Sequence, residues 1–261
     1  MKRMVSRVSG RGIRVACAAA GLSVLCAGSA MAQSTLFNIP STDTVAKSKV
    51  YFEFDVLPQA PGPDEGFGDK ITVYNPRVIV GLANNVEVGL NFPIYHAASN
   101  FGYIQPNIKW KFYNSDASGL AAAAGVVVNT PLNNRDGQAT WSYVYGNISK
   151  KIMAAKGARV TAGPYGVVAN ADPASGPVSF IGPRGGVLLG YEQPLGGNVS
   201  FVADWFSGKN SLGYFTPGVS FTLPHSGLLN IGYSFGNDSW EDSDERLGKN
   251  RYVFVYYGIV F

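Results

Sequence analysis

The sequence predicts an all-β fold: a closed antiparallel transmembrane β-barrel of about twelve strands, with short periplasmic turns and longer extracellular loops. Three observations support this prediction. Strand-like alternation of apolar and polar residues recurs in twelve segments, the links between segments alternate in length, and the last segment ends on an aromatic residue. Charged residues make up 15% of the chain, whereas soluble proteins carry about 25%.

Residues 1–32 have the pattern of a cleaved secretory signal peptide. Five basic residues and no acid precede an apolar stretch over 15–28, and Ala30-Met31-Ala32 supplies the small residues of a cleavage site. Removing this segment takes five of the 21 Lys and Arg residues and leaves 16 against 17 Asp and Glu. The basic balance therefore belongs to the signal, and nucleic acid is not a predicted partner.

Both cysteines, Cys17 and Cys26, also lie in the predicted signal. The mature chain then has no disulfide and no cysteine metal site, and we predict no metal and no cofactor. Residues 33–46 lack strand alternation and leave two interpretations open, a periplasmic leader or a plug inserted into the barrel. Residues 47–261 are predicted to form the barrel itself.

The clearest predicted strand is 86–94, in which every second residue from Val86 is apolar and Glu87 and Asn91 occupy the opposite face. The next, 104–112, alternates in the same way, with Lys109 and Lys111 on the polar face. The other predicted strands lie at 47–57, 69–82, 119–131, 140–150, 158–168, 184–193, 199–206, 212–223, 228–235 and 250–261. In 140–150 the apolar face is ambiguous, since aromatic residues occupy one phase and aliphatic residues the other.

The links between these strands alternate in length. The longer series is 58–68, 95–101, 132–139, 169–183, 207–211 and 236–249. The links between them are tight or of modest length: 83–85, 114–118, 151–157, 194–198 and 224–227. Long loops on one side and tight turns on the other are typical of outer-membrane barrels. Pro76, Pro106 and Pro217 fall within predicted strands; because proline donates no ladder hydrogen bond, we expect bulges or ends of regular pairing there.

If the apolar phase of each strand contacts lipid, the other phase lines the lumen, because a charge facing lipid is unfavourable. This assigns eleven residues to a solute pathway: Glu53, Asp55, Arg77, Glu87, Asn91, Gln105, Lys109, Lys111, Arg159, Glu192 and Asp204. Two interpretations remain open. The charges line a polar conduit, or they pair with one another, fill a small barrel and conduct nothing.

The C-terminal strand has an outward apolar face of Val253, Val255, Tyr257, Ile259 and Phe261. Such an ending resembles the sorting signal of bacterial outer-membrane barrels. It implies localisation in the bacterial outer membrane, with the barrel-assembly machinery, outer-membrane lipid and lipopolysaccharide as partners. Other aromatic residues cluster towards strand ends, where interfacial girdles are expected: Trp110, Phe112, Tyr113, Trp141, Trp205, Phe206, Tyr214 and Phe215.

Gly66-Phe-Gly-Asp69, the strand 86–94 and the closing strand together resemble outer-membrane transporter-like proteins of the meta-pathway of phenol degradation. The resemblance implies passage of small solutes, with aromatic or hydrophobic compounds as a candidate class. We therefore predict a channel or facilitator for small solutes that is not an enzyme. The alternatives are a non-conducting structural or surface barrel, and a lipid-modifying hydrolase using His96 with Ser99 and Asn100 nearby.

Overall fold

The computed structural model describes residues 34–60, 71–96, 100–132, 139–169, 180–237 and 251–261. The predicted signal peptide, 1–32, lies outside the described residues, so its cleavage stays a prediction. Within the described residues no helix is both long and apolar enough to cross a membrane.

Nearly all of the described chain is β-strand. The strands are β1 Val50–Pro58, β2 Thr72–Ala83, β3 Val86–Asn91, β4 Ile94–His96, β5 Phe101–Ser115, β6 Leu120–Pro131, β7 Trp141–Ile152, β8 Ala158–Ala169, β9 Gly185–Gly196, β10 Val199–Phe206, β11 Tyr214–Leu223, β12 Gly227–Gly236 and β13 Arg251–Val260. One short 3₁₀ turn, Met153–Ala155, follows β7.

Each strand pairs antiparallel with its neighbours, and β1 pairs with β13, with Tyr51 opposite Val260. Strands β3 and β4 both lie between β2 and β5 and are separated only by Phe92-Pro93, so they are two parts of one crossing. The result is a closed antiparallel barrel of twelve crossings. The predicted fold class is confirmed.

The two faces of the barrel wall differ as the alternation predicts. On β1, Phe52 and Phe54 are 38% and 39% exposed, whereas Glu53 between them is 0% exposed. On β5, Trp110 is 56% exposed and Lys109 is 2% exposed. Since successive strand residues point to opposite faces, the apolar stripe lies outside and the charged stripe lies inside.

The exposure of side chains also shows which phase of β7 faces outward, a point that its sequence leaves ambiguous. On β7, Val144 and Ile148 are exposed, whereas Tyr145 is buried and Trp141 and Tyr143 are half-buried. The aliphatic phase of this strand therefore faces outward, and the aromatic phase faces the interior. On β13 the outward phase contains the exposed residues Val253, Tyr257 and Phe261, with Val255 and Ile259 half-buried between them.

The prolines interrupt the ladder without forming bulges. Pro106 pairs with Leu90 on β3, but regular pairing with β6 stops at Ile104 and resumes at Asn107. Pro217 is likewise paired with β10 and unpaired with β12. A strand residue donates its N–H to one neighbour only, so a proline costs one bond on one side. The register shifts lie elsewhere, at Gly81/Ala83, Lys111/Tyr113 and Val199/Ser200.

Residues 34–46, called here the N-terminal segment, precede β1 and contact inward-facing side chains of the barrel. Leu36, Ile39, Ser41 and Thr42 are each completely buried. The segment enters from the short-turn end, where Lys47 forms a bridge with Gly81 beside the Asn84-Asn85 turn. It therefore occupies the interior next to the short turns.

Candidate functional site

The N-terminal segment folds into a tight hairpin inside the barrel. Thr35 pairs with Pro40, the Leu36 N–H donates to the Ile39 carbonyl over 2.9 Å, and the Ser41 N–H donates to the Ser34 carbonyl over 3.0 Å. These bonds use part of the backbone polar groups of the hairpin. The remainder must be satisfied by the barrel wall, because buried polar groups are rarely left unpaired.

Asp204 on β10 holds the tip of this hairpin. Its Oδ2 accepts three consecutive backbone N–H groups, from Phe37 (2.8 Å), Asn38 (2.5 Å) and Ile39 (2.9 Å). The Asn38 amide also donates to Asp204 Oδ1 and to Thr216 Oγ1. Successive N–H groups that converge in this way form a concave anion-binding site, here filled by a carboxylate of the same chain.

The hairpin tip also packs into a recess lined by glycine. Phe37 makes edge-on contacts with Phe254 and Tyr256, at ring centroid distances of 5.4 and 6.2 Å. A side chain at Gly232 would place its Cβ 2.8 Å from the Phe37 ring, and one at Gly190 would lie 2.8 Å from Leu36 and Ile39. The absence of a Cβ at these inward positions provides the space that the segment occupies.

Lys109 and Glu87 form a buried ion pair beneath the hairpin. Lys109 Nζ lies 2.9 Å from Glu87 Oε1 and donates to the Ser34 carbonyl over 2.8 Å. Glu87 also accepts the Ser34 hydroxyl (2.5 Å) and the Val45 N–H (2.6 Å). A buried charge pair is stable only when its remaining hydrogen-bonding capacity is used, and here the N-terminal segment uses it.

Arg77 on β2 pairs with a carboxylate on the neighbouring strand β1. Arg77 bonds to Glu53 through Nη1, to the Thr35 hydroxyl over 2.9 Å, and through Nε to Asn91 Oδ1 over 3.2 Å. The partners of the Arg77 guanidinium therefore come both from the barrel wall and from the N-terminal segment.

Arg159 on β8 bonds to Glu192 on β9 and, over 2.5 Å, to Asp43 of the N-terminal segment. Burial by itself would raise the pKa of the Asp43 carboxyl. The charge of Arg159 and its hydrogen bond outweigh burial and hold the pKa below its usual 3.8. Asp43 is therefore ionised at neutral pH.

The remaining predicted pathway residues also lie in the inward phase. Gln105 donates to Asn129 over 2.5 Å, Asp55 accepts from Asn75 over 2.7 Å, and Lys111 is half-buried on β5. Most of the charges contact one another or the N-terminal segment. Their arrangement thus resembles the ion-pair network more than an open charged conduit, and their role in solute passage stays a prediction.

A cavity of about 510 Å³ lies beside the N-terminal segment. Its lining extends from Glu87 and Lys109 to residues of the long loops such as Ile181 and Leu212. Its floor includes Phe37 and Asn38 of the hairpin tip, together with the polar residues Asn75, Arg77 and Gln105. We call it the loop-side cavity. Its lining combines polar side chains with aromatic residues, and the aromatic residues at the loop-side ends of β4, β5, β7, β10, β11 and β13 are Tyr95, Phe101, Tyr103, Trp141, Tyr143, Phe206, Tyr214, Tyr252 and Phe254.

This placement corrects part of the aromatic-girdle prediction. Trp110, Phe112, Tyr113 and Phe215 are exposed on the outer surface, as a girdle requires. Trp141, Phe206 and Tyr214 instead line the loop-side cavity, because each falls in the inward phase of its strand. Position near a strand end does not determine which face an aromatic residue occupies.

Further inward residues, which were not predicted from the sequence, also bind the N-terminal segment. The Asn147 amide donates to the Pro40 carbonyl, the Tyr256 hydroxyl donates to the Leu36 carbonyl, and the Ser149 and Thr42 hydroxyls share a hydrogen bond. Asn147 and Ser149 occupy the phase opposite Val144 and Ile148, so alternation could have identified them. The inward glycines carry no such signal.

The described residues of the link between β8 and β9 and those of the link between β10 and β11 are bonded to each other beside the loop-side cavity. The Asn210 amide donates to the Tyr165 hydroxyl and to the Pro183 carbonyl, each over 2.8 Å, and Ile181 N–H donates to Ser211 Oγ over 3.0 Å. Asn210 and Ile181 also contribute to the cavity lining. The described loop residues therefore cover part of the cavity on the side away from the N-terminal segment.

The histidine proposed for lipid hydrolysis lies at the end of β4. His96 is exposed, and its backbone is paired with Thr72 on β2. Ser99 lies outside the described residues, so the predicted His-Ser pair has no geometry to test. Within the described part of the chain, no group of three or more His, Cys, Asp or Glu residues is arranged to hold a metal ion.

Comparisons with known proteins give fold-level similarity. No protein-family model matches the sequence, and no curated protein is significantly similar to it. One similar solved structure is an outer membrane channel from Pseudomonas putida F1, at 12% identity and a TM-score of 0.49, covering 83% of this chain and 96% of that chain.

Two further structures are similar at the same level. The outer membrane phospholipase A from Escherichia coli has 13% identity and a TM-score of 0.46, covering 80% of this chain and 88% of that chain. The translocator domain of the autotransporter NalP from Neisseria meningitidis has 10% identity and a TM-score of 0.43, covering 96% and 97%. Identities this low bear on fold alone.

The closed barrel and its apolar outer surface give the chain the fold of an outer-membrane β-barrel. The prediction that the chain is not an enzyme is contradicted, because one of the similar structures, the phospholipase, is an enzyme. A barrel of this kind is therefore no ground for excluding catalysis. The resemblance to the phenol-degradation proteins is matched by no family model and stays a prediction.

Proposed function

We propose that the protein is an outer-membrane channel or facilitator for small solutes, with aromatic and hydrophobic compounds as the candidate class. The observation that carries the proposal is the loop-side cavity. It lies inside a closed barrel, has aromatic walls around Tyr95 and Trp141, and ends on the N-terminal segment. A volume of about 510 Å³ falls within the ~300–1,000 Å³ of small-molecule sites.

The N-terminal segment closes the half of the lumen next to the short turns. Passage of a solute then requires this segment to move. Its contacts are hydrogen bonds and ion pairs to side chains such as Asp204, Lys109 and Arg159 rather than strand pairing along its length. Such contacts can be released without opening the barrel ladder.

Single-channel recording in planar bilayers tests the proposal on the intact protein and on a variant lacking residues 34–43. We expect low conductance from the intact chain and a several-fold larger conductance from the deletion variant. Gel mobility before and after heating, together with circular dichroism, shows that both barrels are folded. Silence from a folded deletion variant, with no uptake of aromatic solutes into liposomes, would reject the channel.

A non-conducting structural barrel is the second candidate, and the paired interior charges favour it. The ion pairs Arg77–Glu53 and Lys109–Glu87 and the buried hairpin together fill the short-turn half. This candidate predicts that removing the segment unfolds or destabilises the barrel without creating a conducting pore. The same recordings therefore separate the two functions.

A further inference from the structure

We propose that the loop-side cavity selects compounds that carry a protonated amine, and that Asp55 is the residue that accepts the ammonium group. This inference deepens the proposed function and rests on it, since it requires that small solutes enter the cavity. It adds a chemical preference to the cavity and a specificity-determining residue, which the aromatic walls alone do not provide.

Asp55 lines the cavity from β1 and is only 2% exposed. Its Oδ2 accepts a hydrogen bond from the amide of Asn75, the residue opposite it on β2, over 2.7 Å. Its Oδ1 and the Asn75 Oδ1 are buried and accept no hydrogen bond from the described residues. Two neighbouring acceptors on cavity-lining residues therefore have unused hydrogen-bonding capacity, which a ligand donor could fill after a small side-chain movement.

Asp55 lies near the Glu53 carboxylate and in the electrostatic field of Arg77, but none of the described cations is bonded to it. Arg77 is bonded to Glu53, and Lys109 is bonded to Glu87, whereas Asp55 forms no ion pair among the residues that the structure describes. Burying a carboxylate without a paired cation is unfavourable. A bound ammonium group would supply the missing positive charge together with hydrogen-bond donors.

Aromatic rings stand close to the same position. Tyr95 is opposite Val73, two residues from Asn75, and its ring stacks on Phe101 at a centroid distance of 4.5 Å. Tyr103 meets Tyr95 edge-on at 6.2 Å. Aromatic faces attract organic cations, and a ring carried by the ligand can stack between them.

The same geometry disfavours carboxylates. The cation donors of the cavity are already engaged, since Arg77 donates to Glu53, Thr35 and Asn91 and Lys109 donates to the N-terminal segment. Among the described residues that line the cavity, one donor, Asn129 Nδ2, is buried without a partner, against the two acceptors at Asp55 and Asn75. An anionic ligand would meet the Asp55 carboxylate without compensation.

Three ligands with the same ring and a one-carbon head group test this preference: benzylammonium, benzyl alcohol and benzoate. Their affinities for the purified full-length protein in detergent at neutral pH are measured by isothermal titration calorimetry. We expect benzylammonium to bind about tenfold or more tighter than benzyl alcohol, because a hydrogen bond to a charged partner is the stronger one. Benzoate should bind more weakly than the alcohol.

Asp55→Asn should reduce benzylammonium affinity to that of benzyl alcohol and leave alcohol binding unchanged. Asp116→Asn, at an exposed turn, is the matched control and should change neither affinity. The comparison of the three ligands on the unmodified protein stands even when Asp55→Asn fails to fold.

Three outcomes would overturn the inference, and they separate it from the proposed function. Equal binding of benzylammonium and benzyl alcohol, or benzylammonium binding that Asp55→Asn does not change, rejects the role of Asp55 while the cavity remains a solute site. Binding of none of the three ligands rejects the amine preference and means that the cavity no longer supports the channel proposal. The bilayer recordings then test that proposal independently.

Discussion

The two halves of the barrel interior are built from the same wall and contain different chemistry. Next to the short turns, inward residues such as Glu87, Lys109 and Asp204 bind the N-terminal segment, and the interior is filled. Towards the long loops, aromatic residues join the polar ones around a cavity of about 510 Å³, whose lining reaches down to Glu87 and Lys109. Strand alternation produces both halves, so it does not by itself distinguish a packed interior from a binding site.

The difference shows what an inward polar stripe requires. Charged residues on the inner face need partners, which in this protein come from neighbouring strands and from a separate piece of chain. Aromatic residues can instead pack on one another, as Tyr95 and Phe101 do, and leave space for a ligand. Substitutions in the filled half should therefore change stability and segment docking to different degrees.

The largest effect is expected from Lys109→Met, which leaves Glu87 as a buried charge in the filled half. Breaking a buried ion pair by removing one partner costs about 3–5 kcal/mol. Urea unfolding in detergent, followed by circular dichroism, measures this loss of unfolding free energy. Lys150→Met is the control, since Lys150 is exposed on β7 and its loss should cost little. Equal losses in both variants would contradict the assignment of Lys109 to the filled half.

Asp204→Ala should release the hairpin tip, which forms part of the floor of the loop-side cavity. Three backbone N–H groups, of Phe37, Asn38 and Ile39, lose their acceptor. At about 1 kcal/mol for each unsatisfied donor, docking of the segment should weaken by about 3 kcal/mol. Hydrogen–deuterium exchange of the peptide spanning 36–40 should accelerate, and exchange in the Asp116→Asn control should not. Unchanged protection in Asp204→Ala would show that Asp204 does not hold the tip.

Gly190→Leu tests whether the glycine recess makes the filled half possible. A side chain there meets Leu36 and Ile39, and overpacking of this kind costs about 1–3 kcal/mol. We expect a looser N-terminal segment and a higher single-channel conductance. Gly146→Leu is the matched control, because a Cβ at Gly146 meets nothing within 4 Å. Equal conductance of Gly190→Leu and Gly146→Leu would show that docking of the N-terminal segment does not need the glycine recess.

The smallest effect concerns the Asp43–Arg159 ion pair. The pKa of Asp43 is lowered in the folded protein, so the pair contributes stability above the ordinary carboxyl pKa of 3.8. The contribution is lost as the pH falls through the lowered value. At neutral pH, Asp43→Asn should reduce segment docking by about 1 kcal/mol or less. The difference between the wild type and this variant, measured by hydrogen exchange, should close only in strong acid. A gap that closes near neutral pH would contradict this sign.

The alternation of apolar and polar residues predicted which side chains of the barrel wall face the interior. It placed Glu53, Glu87, Lys109 and Asp204 in the inward phase, and each is buried in the structure. It did not assign Trp141 and Tyr143, since both phases of β7 are apolar enough to face lipid. The side facing the interior was settled by the register of β7 with β6 and β8, which no local pattern in that strand contains.

The number of crossings, the apolar exterior and the charged interior phase follow from the amino-acid sequence, because they depend on the period of two along each strand. Tertiary structure alone decided which inward groups meet: the Asp204 carboxylate with the N–H groups of 37–39, Glu87 with Lys109, and Asp55 with the cavity. These contacts join residues far apart in the chain, across a closed interior. They depend on barrel register and on the space left by inward glycines, which alternation does not encode.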